Sequence, residues 1–334
     1  MTKLRTAVLA GLIALTGACG NTKSGSGTGG TSGADGGGGG GGGDAAAAIN
    51  VAVSGIASPH ALTLMLDPTA DFSMLNVSVV DPSVEILGGA RLATGPLDTS
   101  ASNCGGGASD AGASDAGPTD AATSAGAGCA WSFPTVNIAG IQLGLVGILE
   151  DQRTADQIWV KTGTGAGTAA FIMAEQTSKA PITGRQLFAV SKKTQNALAL
   201  LVSAALAATD AGATVTGDQM QARGYMIGHV VGKLSDGAPP VAGATISVPA
   251  SAAVNFDIIY PNATFTGVGT STAPHGIVLV VAKAAGSQGP HIAGWTVTPP
   301  SSGAGSTLTW QMYTSGTQPG AAFVLIFLAD EGGG

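Results

Sequence analysis

Charge is scarce in this 334-residue chain: Asp, Glu, Lys and Arg together make up 10% of it, and aromatic residues only 4%. With 13 Lys plus Arg against 20 Asp plus Glu, the net charge is −7. That sign is wrong for a surface that neutralises nucleic-acid phosphates, so no nucleic-acid partner is expected. The same shortage excludes a coiled coil, whose exposed positions need Glu, Lys and Arg. Only four histidines are present, His60, His229, His275 and His291, and no two of them stand two or four residues apart. With three cysteines and no Cys-x-x-Cys, the common zinc and redox spacings are missing too. The chain also lacks a Gly-x-Ser-x-Gly nucleophile elbow and a calcium-binding Asp-x-Asp-x-Asp-Gly loop. The segment from Gly228 to Lys233 is one residue short of a phosphate loop, and Leu234 stands where Ser or Thr is needed. No catalytic residue, metal or cofactor is therefore expected. Glu150 and Asp151 read as a solvated strand-to-turn junction rather than a catalytic carboxylate pair.

What the chain has in excess is glycine, 54 residues, without the three-residue period of collagen. Residues 1–19 read MTKLRTAVLAGLIALTGAC. Lys3 and Arg5 form a basic start, and Ala7 to Leu15 an apolar run too short to span a bilayer. Small residues, Thr16-Gly17-Ala18, then lead to Cys19. This resembles a bacterial lipoprotein signal peptide, which implies cleavage before Cys19 and lipidation of Cys19. Gly20 rather than Asp after the cysteine implies an outer-membrane address. Cleavage would leave 11 basic against 20 acidic residues, a charge of −9. Such a surface repels anionic lipid, so the acyl chains must hold the protein on the membrane.

Residues 19–48 include eight consecutive glycines, 36–43, and cannot bury enough apolar area to offset their ordering entropy. They are expected to be a flexible tether spanning roughly 30 Å. A second low-complexity stretch, an insertion over 99–128, is bracketed by Cys104 and Cys129. An exported protein meets an oxidising compartment, so these two are expected to form a disulfide clamping the base of the insertion.

The remaining chain alternates short β-rich runs with Gly, Pro and Asp punctuation. Strands are expected over 74–80, 84–87, 131–136, 141–149, 158–161, 169–174, 224–233, 244–248, 256–260, 277–282, 308–313 and 322–329. The GTGAG at 163–167 reads as a hairpin connection. One segment, 183–210, has helical periodicity in Leu187, Val190, Thr194, Ala197, Leu201 and Ala205, a capping-box spacing at Thr183 and Gln186, and an almost wholly apolar second half. The expected architecture is mainly β, with two antiparallel β-sandwich domains of the immunoglobulin or transthyretin kind. They occupy 49–180 and 215–330, joined by a buried helix over 183–210.

One body motif stands out. Residues 227–248, IGHVVGKLSDGAPPVAGATISV, place a strand through Val230, a turn at Asp236-Gly237, and a Pro-Pro-Val-Ala-Gly-Ala passage into a second strand. Residues 272–279, TAPHGIVL, follow with a Thr, a turn ending in Gly276 and an aliphatic strand. This resembles the carboxypeptidase regulatory-like domain, a transthyretin-like seven-stranded sandwich, over about residues 224–285. Pro274-His275 stands where that family has acidic residues. Residues 53–88 and 136–150 are a candidate degenerate copy, to be tested by strand order. The combined reading is a non-enzymatic, lipid-anchored cell-envelope protein with a structural or binding role. Its partners would be the membrane, through the lipid anchor, and an envelope protein or polysaccharide. Trp295 and Trp310 are the candidate binding platform. Envelope-glycan binding is the first alternative. A cryptic hydrolase is the second, and it would require titratable groups such as His275, His291, Glu150 and Asp151 to converge.

Overall fold

Fifteen strands pair in the computed structural model, which describes residues 48–67, 72, 74–83, 91–100, 104, 128–207, 214–283 and 289–331. All of these fall in one compact unit, Ala46–Gly334. The signal segment, Cys19, the tether up to residue 47, the strand expected over 84–87 and most of the 99–128 insertion lie outside the described residues.

The first strand, β1 (Asn50–Pro59), runs into the short helix α1 (Ala61–Leu66), followed by β2 (Leu75–Val80), β3 (Ala93–Pro96), β4 (Cys129–Asn137), β5 (Leu145–Asp151) and β6 (Thr162–Gly167). Helix α2 (Ala169–Ser178) leads to β7 (Ile182–Ala189), then α3 (Lys192–Ala207) and α4 (Gly217–Arg223). The second half comprises β8 (Tyr225–Val231), β9 (Thr245–Ser247), α5 (Ala250–Ala253), β10 (Phe256–Pro261), β11 (Val268–Gly269), β12 (Ile277–Ala282), β13 (His291–Thr298), β14 (Tyr313–Thr317) and β15 (Ala322–Leu328).

The protein is mainly β, as its sequence predicts, but the strands are not all antiparallel. A nine-stranded sheet runs β11-β10-β12-β8-β15-β6-β5-β2-β3, and two three-stranded sheets, β4-β1-β7 and β14-β13-β9, pack on it. β15 lies parallel to both β8 and β6, and β7 parallel to β1. The two expected sandwiches therefore share one sheet, with β15 as the common strand.

Register assigns the faces. Leu149 pairs with Val77 and Thr162, Thr162 with Ala322, Ala322 with Tyr225, and Ile227 with Leu279, so all of these point to one side. On that side β4-β1-β7 covers the N-terminal half, burying Val53, Trp131, Val136 and Leu187 against Leu75, Val77 and Leu149. Helices α3 and α4 cover the C-terminal half of the same side, burying Leu198, Leu201, Val202 and Met220 against Tyr225, Ile227, Leu279 and Val324. The opposite side of the C-terminal half carries β14-β13-β9, where Trp295 and Val297 meet Met226, Val278, Val280 and Phe327.

Several local expectations change. Residues 183–189 are strand, not helix, because they pair along β1 from Val53↔Ile182 to Pro59↔Ala189. The helix begins at Lys192. Its cap is Ser191, whose Oγ accepts the Thr194 N–H at 3.2 Å, so the Thr183/Gln186 spacing is coincidental. Nor is that helix buried all round, for Leu200 is 72% exposed while Leu198, Leu201 and Val202 face the sheet. Residues 169–178, expected to start as a strand, form α2, because the Thr168 hydroxyl caps the Phe171 N–H. The glycine run 163–167 is itself strand β6, where Gly163 leaves room for the Phe323 ring of β15. The strand expected over 158–161 is reduced to a single bridge, Trp159↔Ser191, and that over 308–313 shifts to β14. Strand β13 lies outside every run expected from the sequence. The internal-copy idea also fails on strand order. β8 and β12 are neighbours in one sheet, whereas their proposed counterparts β1 and β5 lie in different sheets.

Candidate functional site

Two groups of polar side chains sit where chemistry could be done. The first is at the C-terminal end of β5. There Glu150 and Asp151, the last two residues of the strand, are each engaged by partners of their own. Glu150 is held bidentately by Arg91, at 2.5 and 2.9 Å, and lies 3.4 Å from the Lys161 Nζ. Burial pushes its pKa up, but the Arg91 hydrogen bonds and the Lys161 and Arg91 charges outweigh this and hold it below the usual carboxylate range. Asp151 is buried. It accepts from the Arg153 Nε at 2.8 Å and from the backbone N–H groups of Arg153, Ile158 and Trp159. Burial again raises its pKa, and these donors again outweigh it, so the carboxylate stays ionised. Both acids thus pin the turn after β5 and are unsuited to proton transfer near neutrality. The depression they line with Gln152, Gln157, Trp159, Lys161 and Gln221 holds about 150 Å³, below the several hundred usual for a small-molecule site.

The second group is a set of histidines that spacing could not reveal. His60, at the β1–α1 corner, and His229, on β8, are 169 residues apart, yet their Nε2 atoms meet at 2.5 Å in the core. His60 Nδ1 accepts the Leu62 N–H at 3.2 Å, and the Phe188 ring stands edge-on to the imidazole. An Nδ1 that accepts has no proton, so neutral His60 carries its proton on Nε2 and donates it to His229. Burial lowers the pKa of both, with His229 adding to the effect on His60, and His229 is brought down to about 4. His275, before β12, is half-buried. Its Nδ1 accepts the Ile277 N–H at 3.0 Å, its Nε2 donates to the Asn262 carbonyl at 3.1 Å, and it stacks on Phe265 with centroids 4.4 Å apart. His291, on β13, packs edge-on to Phe256. Thus His275, His291, Glu150 and Asp151 each have partners of their own on different elements. Among the described residues no group of three or more His, Cys, Asp or Glu could hold a metal ion.

The candidate tryptophan platform does not exist as a surface. Trp295 is fully buried and its indole N–H donates to the Ser315 carbonyl at 2.9 Å. β13 alternates in burial, and Trp295 falls on its inward side with Ala293 and Val297. Trp310 is partly buried, and its N–H is shared by the carbonyls of Val231 and Phe327 at 3.1 and 3.0 Å. Cys104 and Cys129 are disulfide-bonded, joining Cys104 to the start of β4.

The segment that carries the body motif forms a tight unit. After β8 the chain turns through Gly237, in the left-handed region at φ +76°, and bridges back from Pro240 to Val231. Buried Thr272 then ties the Pro-Val-Ala-Gly-Ala passage down: its Oγ1 donates to the Val241 carbonyl at 2.7 Å and accepts the Ala244 N–H at 2.9 Å. Gly276, at φ +67°, passes so close to the Val230 carbonyl that a side chain there would collide with it.

No family model matches the chain, and no curated protein matches it. Among solved structures, similarity is found to the Bacillus anthracis TIE protein, at 7% identity and a TM-score of 0.19, covering 84% of this chain and 34% of that one. The chain thus spans about a third of that protein's length. The shaft pilin spaA from Lactobacillus rhamnosus GG is similar at 7% identity and a TM-score of 0.20, covering 85% of this chain and 99% of the pilin. Likenesses this distant carry no functional argument.

Proposed function

We propose that this protein is a lipid-anchored component of the bacterial cell envelope, with a structural or binding role rather than a catalytic one. The observation that carries the reading is the N-terminal sequence, in which a basic start, a short apolar run and Thr16-Gly17-Ala18 lead to Cys19 and then to a glycine-rich stretch ending just before β1. Acyl chains on Cys19 would hold the protein on a membrane by burying methylenes worth about 0.8 kcal/mol each, and the stretch up to residue 48 would let the β unit stand off the surface. The fold is compatible with such a role, since the acids and imidazoles considered for catalysis are used in internal pairs. Its partner would be an envelope protein or polysaccharide. The glycan version loses its proposed aromatic platform, because Trp295 and Trp310 point inward, so contact would have to come from loops and sheet edges.

Metabolic labelling with a clickable fatty acid in a bacterial host tests the anchor. Wild type should be labelled and recovered with the outer membrane, and Cys19→Ala should be unlabelled and released in soluble form. Equal labelling of the two, or soluble wild-type protein, would refute the reading. Retention on cell-wall or exopolysaccharide resin, compared with a denatured control, separates a glycan partner from a protein one.

A further inference from the structure

At the seam between the β1–α1 corner and the shared sheet, His60 and His229 are arranged so that each works only when neutral. We propose that His60 and His229 form an acid-released latch, which holds the β1–α1 corner (residues 59–66) on the central sheet at neutral pH and frees it in acid.

The argument starts from protons. His60 uses its Nδ1 lone pair to cap the Leu62 N–H and its Nε2 proton to reach His229. A second proton can enter only at Nδ1, where it abolishes the cap. His229 accepts that bond through its Nε2 lone pair, and a proton placed there sets two N–H groups against each other across 2.5 Å. Nearby, His275 repeats the His60 device: its Nδ1 accepts the Ile277 N–H, and protonation there takes the acceptor from the first amide of β12. The three are coupled, because His229 acts electrostatically on His60 and His275 on His229.

The surroundings offer no compensation for a positive charge. On β8, four residues from His229 and on the same face, Tyr225 donates its hydroxyl to Gln195 of α3. From β7, Phe188 meets His60 edge-on. Around the start of α3, Ser191, Thr194 and Thr63 are bound to one another. The charged groups of this region, Lys193 of α3 and Asp67 at the end of α1, lie 4.0 Å from each other. Burial therefore keeps both core imidazoles neutral. Their pKa is lower in the fold than in the open chain, so the stability they contribute is complete above about pH 6.5. It falls as the pH drops toward the folded value, about 4 for His229. For His229 alone, opening at pH 5 is favoured about 20-fold over pH 7. His60 multiplies the effect.

Hydrogen exchange on the full chain, corrected for the intrinsic pH dependence of exchange, reads the latch directly. Protection of the α1 amides should fall by about 20-fold or more between pH 7 and pH 5, well beyond any change in β13. In the double variant His60→Asn/His229→Leu, Asn keeps an acceptor for the Leu62 N–H while the titrating pair is gone, and the pH effect should shrink below about threefold. Unchanged α1 protection in wild type, or a full pH effect in the double variant, would overturn the proposal. Should the double variant not fold, NMR titration of the wild-type imidazoles decides. His60 and His229 should remain neutral well below pH 6 for as long as α1 stays protected. A midpoint near 6.5 with the corner still closed would overturn the proposal equally.

Discussion

Thr272 offers the sharpest test of how the second half is held together. It is buried, 31 residues from Val241, and its hydroxyl is the donor to the Val241 carbonyl and the acceptor for the Ala244 N–H. Thr272→Val keeps the shape and removes the hydroxyl, leaving one buried acceptor and one buried donor without that partner. Each such orphan costs about 1–3 kcal/mol, so the variant should lose roughly 2–5 kcal/mol. Thr272→Ser is the control: it keeps both hydrogen bonds and deletes one buried methyl, at about 1 kcal/mol. In a unit of this size 1 kcal/mol shifts the Tm by about 2–4 °C, which puts Thr272→Val roughly 5–15 °C below wild type and Thr272→Ser within about 4 °C. Urea unfolding should give the same ordering with an unchanged m-value. If Val and Ser at this position agree within about 0.5 kcal/mol, the hydroxyl does not hold the passage from β8 to β9, and the reasoning fails.

Other perturbations follow the same logic. Replacing Cys104 and Cys129 together by Ser opens a loop of 25 residues and should cost about 3.5 kcal/mol in the chain-entropy picture; urea titrations with and without reductant should show the same difference in wild type and none in the variant. Gly55→Ala would place a methyl 1.7 Å from the Arg185 carbonyl of the neighbouring parallel strand. Backbone on both sides leaves nothing to yield, so no soluble folded protein is expected, and an Ala variant with wild-type Tm would refute the close approach of β1 and β7. Arg91→Met removes the bidentate partner of Glu150 and should raise the pKa of that carboxyl, measurable by NMR titration; an unmoved value would mean that Lys161 alone sets it.

The sequence signalled strands best where aliphatic residues cluster between turn residues, as in β2, β8, β10, β12 and β15. It misled where a local pattern had two readings. Residues 183–189 carry apolar spacing compatible with a helix, and only pairing with β1 makes them strand, a tertiary effect that propensity does not contain. β13 hid because His291, Gly294 and the threonines dilute its alternation. Glu150 and Asp151 read from sequence as a solvated turn junction, but the structure buries Asp151, half-buries Glu150 and adds basic partners that fix them, one of which, Arg91, is remote in sequence. The His60–His229 contact leaves no spacing signal at all, being made across 169 residues between the β1–α1 corner and β8, which do not pair. The tryptophans misled for a simpler reason: nothing in a flanking proline turn tells which side of a strand an indole takes.

The position of β15 has a consequence for how the chain reaches its native state. Its two partners, β6 and β8, are complete long before residues 322–328 exist on a growing chain. Until then each presents an open edge of unpaired N–H and C=O groups, one with three glycines and the other with seven buried residues in succession. Neither half can finish its share of the nine-stranded sheet alone, and the closing contacts are among the most remote in sequence. Such topologies fold slowly and expose edges that invite pairing with other chains. The unit must therefore be kept from closing prematurely on a neighbour until its final strand arrives, so its biogenesis should depend on a holding factor more than its modest size would suggest.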